Sequence, residues 1–277
     1  FDGDGILNIF DTHQALDIRE TTISSGQSHT CALLDNGSIS CWGWNNYGQL
    51  GDGGNFDNTS PTLTNSLGLG RTTVAISTGG YHTCAILDNG TVSCWGRGGS
   101  GQLGNGGNTS KNNTILTSSL GPGRTAVAIS SGGYHTCAIL DDESMYCWGQ
   151  DDYNMLNTEY NCGGGDYTNG CYDGHRKTPA ESIAPDGRSM IGVYRGEYYA
   201  CVLIDNGGLY CFGNNQYGQI GNGIGDADAA RALEQLGELG GKPGLNHRAA
   251  AALGKPERDV EYRIGQQPRL MRRRQRC

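Results

Sequence analysis

At 277 residues the chain is long enough for one large domain or two modest ones, a size that buries a core without metals or cross-links. Leu, Ile, Val and Phe number 22, 16, 6 and 4, about 17% of the chain, so the apolar core is thin, yet a net charge of −8 is too small per residue to drive disorder. Gly and Tyr, at 47 and 14, point to many tight turns between short strands, an all-β composition, and no run approaches the length of a membrane span.

The chain begins DGDGILNIFD after Phe1, which reads as a processed or cut piece. Residues 1–20 form a linker carrying part of a calcium loop. Asp2 and Asp4 fall at successive ligand positions, Gly5 at the obligatory glycine, Ile6 where a carbonyl is used, and Asn8 and Asp11 at the last two ligand positions. The first ligand would precede Phe1. Hard oxygen donors at alternating positions suit Ca²⁺, and the pattern resembles thrombospondin type 3 or EF-hand-like loops of extracellular proteins. The alternative is an acidic linker.

From residue 21 the cysteines set the frame. Cys31/Cys41, Cys84/Cys94, Cys137/Cys147 and Cys201/Cys211 each stand ten apart, Cys162/Cys171 stand nine apart, and only Cys277 is left over. The first cysteine of each pair recurs after 53, 53 and 64 residues, so the chain is a repeat protein with 11 extra residues in its third unit. The units read ISSGQSHTCALLDNGSISCWG, ISTGGYHTCAILDNGTVSCWG, ISSGGYHTCAILDDESMYCWG and VYRGEYYACVLIDNGGLYCFG. Each is followed by a turn of the form GQLG, degenerate in the third unit as Asn154 to Asn157.

In the first unit the cysteines are symmetric about Asn36. A three-residue loop with Gly37 in the left-handed conformation therefore sets Cys31 opposite Cys41, within disulfide reach. The spacing predicts one disulfide across each hairpin. A closed loop of 11 residues contributes about 2.5 to 3 kcal/mol in the chain-entropy model, and several such clips offset the thin core. Zinc is the rival use, because His29 recurs with the cysteines as His82 and His135, but the fourth unit has Tyr199 at that position. Otherwise these histidines are packed, hydrogen-bonded residues at strand starts.

These units resemble the regulator of chromosome condensation repeat, whose blades carry a G-x-x-H-[TS]-x-A-L segment, a D-G turn, a W-G pair and a G-Q-L-G turn. The match covers about residues 21–225. It implies an all-β, β-propeller-like array of four-stranded antiparallel blades, of which four are legible here, as part of a larger propeller. Trp42, Trp95, Trp148 and Phe212 share one repeat position and are expected between blades.

The insertion in the third unit is the candidate partner-binding loop. Cys162 and Cys171 staple a segment bearing Asp166 and Tyr167, flanked by Tyr153, Tyr160 and Tyr172, and rigid tyrosines suit protein recognition. Glycosylation sequons stand at Asn36, Asn58, Asn89, Asn108 and Asn112, and two of these, Asn36 and Asn89, also have a turn role. Residues 226–277 change composition: they hold no Ser or Thr, a single aromatic residue (Tyr262) and 11 Lys plus Arg against 7 Asp plus Glu. This is an atypical basic tail, a solvated or out-of-frame extension in which Asp226 to Leu239 could form a short helix.

No nucleophile elbow, phosphate-binding lysine loop or HExxH pair is present. The expectation is a secreted or cell-surface, non-enzymatic propeller that binds a protein partner, with neither nucleic acid nor a membrane span. The resemblance also implies two alternatives. One is nucleotide exchange and chromatin binding, as in the family's eponym; the other is a propeller lyase, which needs histidines and carboxylates converging on one face.

Overall fold

Each repeat unit folds into an antiparallel meander. The first sheet comprises β1 (Ile23–Ser25), β2 (His29–Leu33), β3 (Ile39–Gly43) and β4 (Asn58–Leu63), and the second β5 (Thr73–Thr78), β6 (His82–Leu87), β7 (Val92–Gly96) and β8 (Lys111–Leu116). The third holds β9 (Ala126–Ser131), β10 (His135–Leu140), β11 (Met145–Gln150), β12 (Cys171–Tyr172) and β13 (His175–Glu181). The fourth holds β14 (Met190–Arg195), β15 (Tyr199–Ile204), β16 (Leu209–Gly213) and β17 (Arg231–Leu233). The computed structural model describes residues 23–65, 67–68, 70–158, 171–172, 174–184, 188–221 and 231–233. The chain divides into two compact units, Phe1–Gly241 and Lys242–Cys277, and every described residue lies in the first.

The sheets pack face to face in chain order as the blades of a propeller-like array, with β1, β5, β9 and β14 side by side along its inner edge. This packing explains why the middle strands lack an alternation of polar and apolar residues: both faces are buried. On β6, His82, Cys84 and Ile86 point into the seam with the third blade, while Thr83 and Ala85 point into the seam with the first.

Within each blade the cysteines face one another: Cys31 and Cys41, Cys84 and Cys94, Cys137 and Cys147, and Cys201 and Cys211 are joined across the central hairpin. With its cysteines so bonded and His29 turned to Thr83, the first blade does not present the zinc set. The hairpin turns place Gly37, Gly90 and Gly207 in the left-handed region at φ 76°, 74° and 82°. The third blade has Glu143 there, at φ 68°. Its degenerate Asn154 to Asn157 turn keeps the shape of the others because asparagine tolerates left-handed backbone: Asn154 and Asn157 sit at φ 54° and 49°.

Each of the first two seams is built on one neutral relay. The Thr83 hydroxyl donates to the carbonyl of Gln49 at 2.9 Å, and Trp95 Nε1 donates to the same oxygen at 3.0 Å. A hydroxyl has one proton, so Thr83 Oγ1 must accept from His29 Nε2, which lies 2.9 Å away. This fixes His29 as the neutral tautomer protonated on Nε2. The second seam repeats the relay with His82, Thr136, Gln102 and Trp148. Burial pushes His29 down to about 4 and His82, which also feels His29, to about 3. The backbone must come close for this packing: a Cβ on Gly79 would lie 2.3 Å from His82 Cε1 and 2.4 Å from the Gly132 carbonyl.

The third seam is different. Ala200 replaces the threonine and Phe212 the tryptophan, so neither reaches the carbonyl of Met155. Arg195 takes their place, its Nη1 donating to that oxygen at 2.9 Å and its Nη2 resting on Cys137 Sγ. Burial pushes the Arg195 guanidinium down to about 9, opposed by Asp151. His135 Nε2, with no hydroxyl opposite it, has no hydrogen-bond partner.

Two features depart from the sequence reading. Within the stretch from Asp226 to Leu239, which the sequence leaves open to a short helix and which lies beyond the end set for the repeats at 225, Arg231–Leu233 pairs with β16 as the outer strand of the fourth blade. An unpaired edge satisfies backbone groups as well as a helix does, and it is already in place. The insertion also adds a fifth strand to the third sheet, with Cys171 and Tyr172 opposite Arg176 and His175.

Candidate protein-recognition face

In such a meander the β5–β6 turn and the β7–β8 connection emerge at one end of the blade, and the central hairpin at the other. At the first end a line of aromatic side chains crosses the blades. Tyr81, Tyr134 and Tyr198 occupy the same repeat position, immediately before the strand-start residues His82, His135 and Tyr199. The rings of Tyr81 and Tyr134 are 5.5 Å apart, and those of Tyr134 and Tyr198 are 6.2 Å apart and near parallel. Trp44 and Tyr47, from the β3–β4 connection, extend the line with edge-on contacts of 5.4 to 6.0 Å to each other and to Tyr81. Such geometries are favourable aromatic pairings.

The local fold positions these residues. Backbone bonds from Trp44 to the Ser28 carbonyl, Arg97 to that of Tyr81, Gln150 to that of Tyr134 and Asn214 to that of Tyr198 tie the two loops of each blade together. Arg97 is thereby laid among the rings, its guanidinium carbon 5.2, 5.6 and 4.9 Å from the centroids of Tyr47, Tyr81 and Tyr134. Trp44, Tyr47, Tyr81, Arg97, Tyr134 and Tyr198 are all half-buried, while Glu197 beside them is exposed. Burial and the neighbouring Glu197 push the Tyr198 hydroxyl up to about 12, and burial and a hydrogen bond with Tyr81 raise Tyr134. These two phenols therefore stay protonated at physiological pH. Among the described residues the surface offers ring faces, hydroxyls, one guanidinium and the neighbouring Glu197 carboxylate.

The opposite end of the blades is polar and self-satisfied. Arg71 pairs with Asp88, Arg124 with Asp141 and Asp142, and Arg188 with Asp205. Asn36 and Asn89 sit exposed in the hairpin turns there, their Oδ1 atoms accepting from Ser38 and Thr91. Asn58 starts β4 and Asn108 is exposed in the β7–β8 connection, whereas Asn112 Nδ2 is engaged across the first seam with Gly53 and Asn55.

Of the partner-loop residues expected from sequence, Tyr153 lies at the aromatic end and is 45% exposed in a left-handed conformation. Tyr172 lies in β12, and Tyr160, Cys162, Asp166 and Tyr167 fall outside the described residues, as do Asp2, Asp4, Ile6, Asn8 and Asp11. His29, His82 and His135 are buried in separate seams and do not converge on a face as a lyase reading requires. Sequence reasoning passed over the tyrosine line. Its signal was the recurrence of Tyr one residue before the strand start in three of four units.

The repeat model described as Regulator of chromosome condensation (RCC1) repeat matches residues 21–49, 74–102, 126–154 and 196–219, and a second form of it matches 36–86 and 89–139, together more than half of the chain. The chain belongs to the RCC1 repeat family. Human E3 ubiquitin-protein ligase HERC2 is 30% identical over 203 residues, 73% of this chain and 4% of that protein. Ultraviolet-B receptor UVR8 of Arabidopsis thaliana is 30% identical over 218 residues, 78% of this chain and 45% of the receptor. These RCC1 repeats thus span less than half the length of either curated relative. The crystal structure of human WBSCR16 superposes with a TM-score of 0.65 at 20% identity, covering 77% of this chain and 52% of that one, a likeness of fold alone. Among the described residues no helix is long and apolar enough to cross a membrane.

Proposed function

We propose that this RCC1-repeat array is a non-enzymatic protein-binding scaffold acting in an oxidising, extracellular setting. The observation that carries the reading is the aromatic line from Trp44 to Tyr198, which gives one end of the blades a rigid, half-buried recognition surface. Tyr and Trp side chains supply large contact area at little entropic cost and dominate binding energy at protein interfaces. The buried disulfides support the extracellular setting, since reducing compartments keep such thiols free.

The test is affinity capture from the extracellular fraction of the source. The bait is the intact chain, a triple variant (Tyr81→Ala, Tyr134→Ala, Tyr198→Ala) and an opposite-end control, Arg71→Ala. A partner retained by wild type and R71A but lost from the triple variant supports the reading. A partner retained equally by all three refutes it.

A further inference from the structure

The described arginines fall into two groups. Arg71, Arg124 and Arg188 each have an aspartate within ion-pair distance, and Asp151 acts on both Arg176 and Arg195. Arg97 stands apart. Its guanidinium touches the rings of Tyr47, Tyr81 and Tyr134, and among the described residues no carboxylate pairs with it and no acceptor takes any of its five N–H donors. Neighbouring blades place neutral residues at its repeat position: Trp44 in the first, Gln150 in the third and Asn214 in the fourth. The result is one positive charge set in an aromatic surface.

We propose that Arg97 is the receptor for a carboxylate: an aspartate or glutamate side chain on an extended segment of the partner protein, flanked by proline or aromatic residues that lie on the tyrosine line. The inference rests on the reading of this face as the recognition surface and names its chemistry. Contacts with three rings restrict the guanidinium before binding, so less side-chain freedom is lost when it pairs. Its fork of donors matches a carboxylate, which accepts two N–H bonds at once. The surrounding rings half-bury the guanidinium, so the pair is screened less by salt than a fully exposed one. Cation–π contact does not compete with this role, because the ring faces attract the charge and leave the N–H groups without acceptors. A basic segment would meet Arg97 as a like charge and be drawn instead to Glu197 beside Tyr198.

The experiment uses the full chain and three capped heptapeptides, Gly-Pro-Tyr-X-Tyr-Pro-Gly with X as Glu, Gln or Lys, titrated while the Arg97 Nε–Hε resonance is followed. The Glu peptide is expected to shift that resonance and to bind about tenfold more tightly than the Gln peptide. The preference should vanish in Arg97→Met and persist in Arg71→Met, with R97M within a few degrees of wild type in Tm. Equal affinity for the Glu and Gln peptides, tighter binding of the Lys peptide, or a preference that survives R97M overturns the carboxylate assignment. The triple tyrosine variant separates the two readings. If it loses all peptides while wild type shows no preference for Glu, the recognition face stands and the carboxylate falls. If it binds them as wild type does, the face itself is wrong.

Discussion

Thr136→Val tests the relay that joins the blades. Thr136 is wholly buried; its hydroxyl accepts from His82 Nε2 at 2.8 Å and donates to the Gln102 carbonyl at 3.2 Å. Valine keeps the volume, so no cavity opens and the change isolates the hydroxyl. The Gln102 oxygen keeps the Trp148 Nε1 bond at 2.9 Å and is not orphaned. The His82 Nε2 proton is, and a buried donor stripped of its acceptor costs about 1–3 kcal/mol. We expect T136V to lose about 2 kcal/mol in urea unfolding followed by tryptophan fluorescence, with Tm lower by about 4–8 °C. In ¹⁵N spectra the wild-type His82 ring should be neutral with a slowly exchanging Nε2 proton, and T136V should lose that protection. Stability within about 0.5 kcal/mol of wild type would refute the relay as a source of inter-blade cohesion. The third seam already resembles the product of this mutation, since Ala200 leaves His135 Nε2 without a partner and Arg195 satisfies the carbonyl instead.

Three further outcomes are expected. Glu143→Gly should stabilise the protein by about 1 kcal/mol, because Glu143 holds φ 68° where the other hairpins have glycine; an unchanged or lower urea midpoint would show that its side-chain interactions outweigh the backbone strain. Acid should destabilise the fold through the histidines. Their folded values lie below 6.5, at about 4 for His29 and about 3 for His82, with His135 also depressed, so the unfolded chain binds protons that the folded one refuses. The stability is complete above about pH 6.5 and lost as pH falls toward 4, at about 1.4 kcal/mol per pH unit for each histidine, and His82→Asn should flatten the urea midpoint's pH slope by one proton. Among the four placed disulfides, Cys201–Cys211 should be reduced first. Cys201 keeps partial exposure, whereas Cys31, Cys84 and Cys137 have none, and timed alkylation finding Cys84–Cys94 open first would contradict this.

Much of the fold was legible because its signals are local. Cysteines ten apart around a tight turn, D-N-G in three units and Asp141-Asp142-Glu143 in the other, specify a hairpin with facing side chains within a dozen residues of chain, and four copies of the cysteine pattern specify stacked blades. The burial of Trp95, Trp148 and Phe212 followed from their shared repeat position. Trp42 holds the same position and is half-exposed. Ile23 is 63% exposed while its equivalent Ile76, packed on the first blade, is 6% exposed.

The sequence by itself determined the hairpins, their cross-links and the left-handed turn positions, since each depends on backbone geometry over a few residues. It also carried the recurrence of tyrosine one residue before the second strand in three of the four units, but nothing local says that those rings touch. Tyr81 and Tyr134 are 53 residues apart and Tyr198 a further 64 away, and they meet only because the blades stack with the same residue at the same height. Tertiary structure likewise decided that Arg97 lies among three rings from three blades and that Arg231–Leu233 extends as a strand. Those outcomes depend on surfaces that exist only after neighbouring sheets have formed.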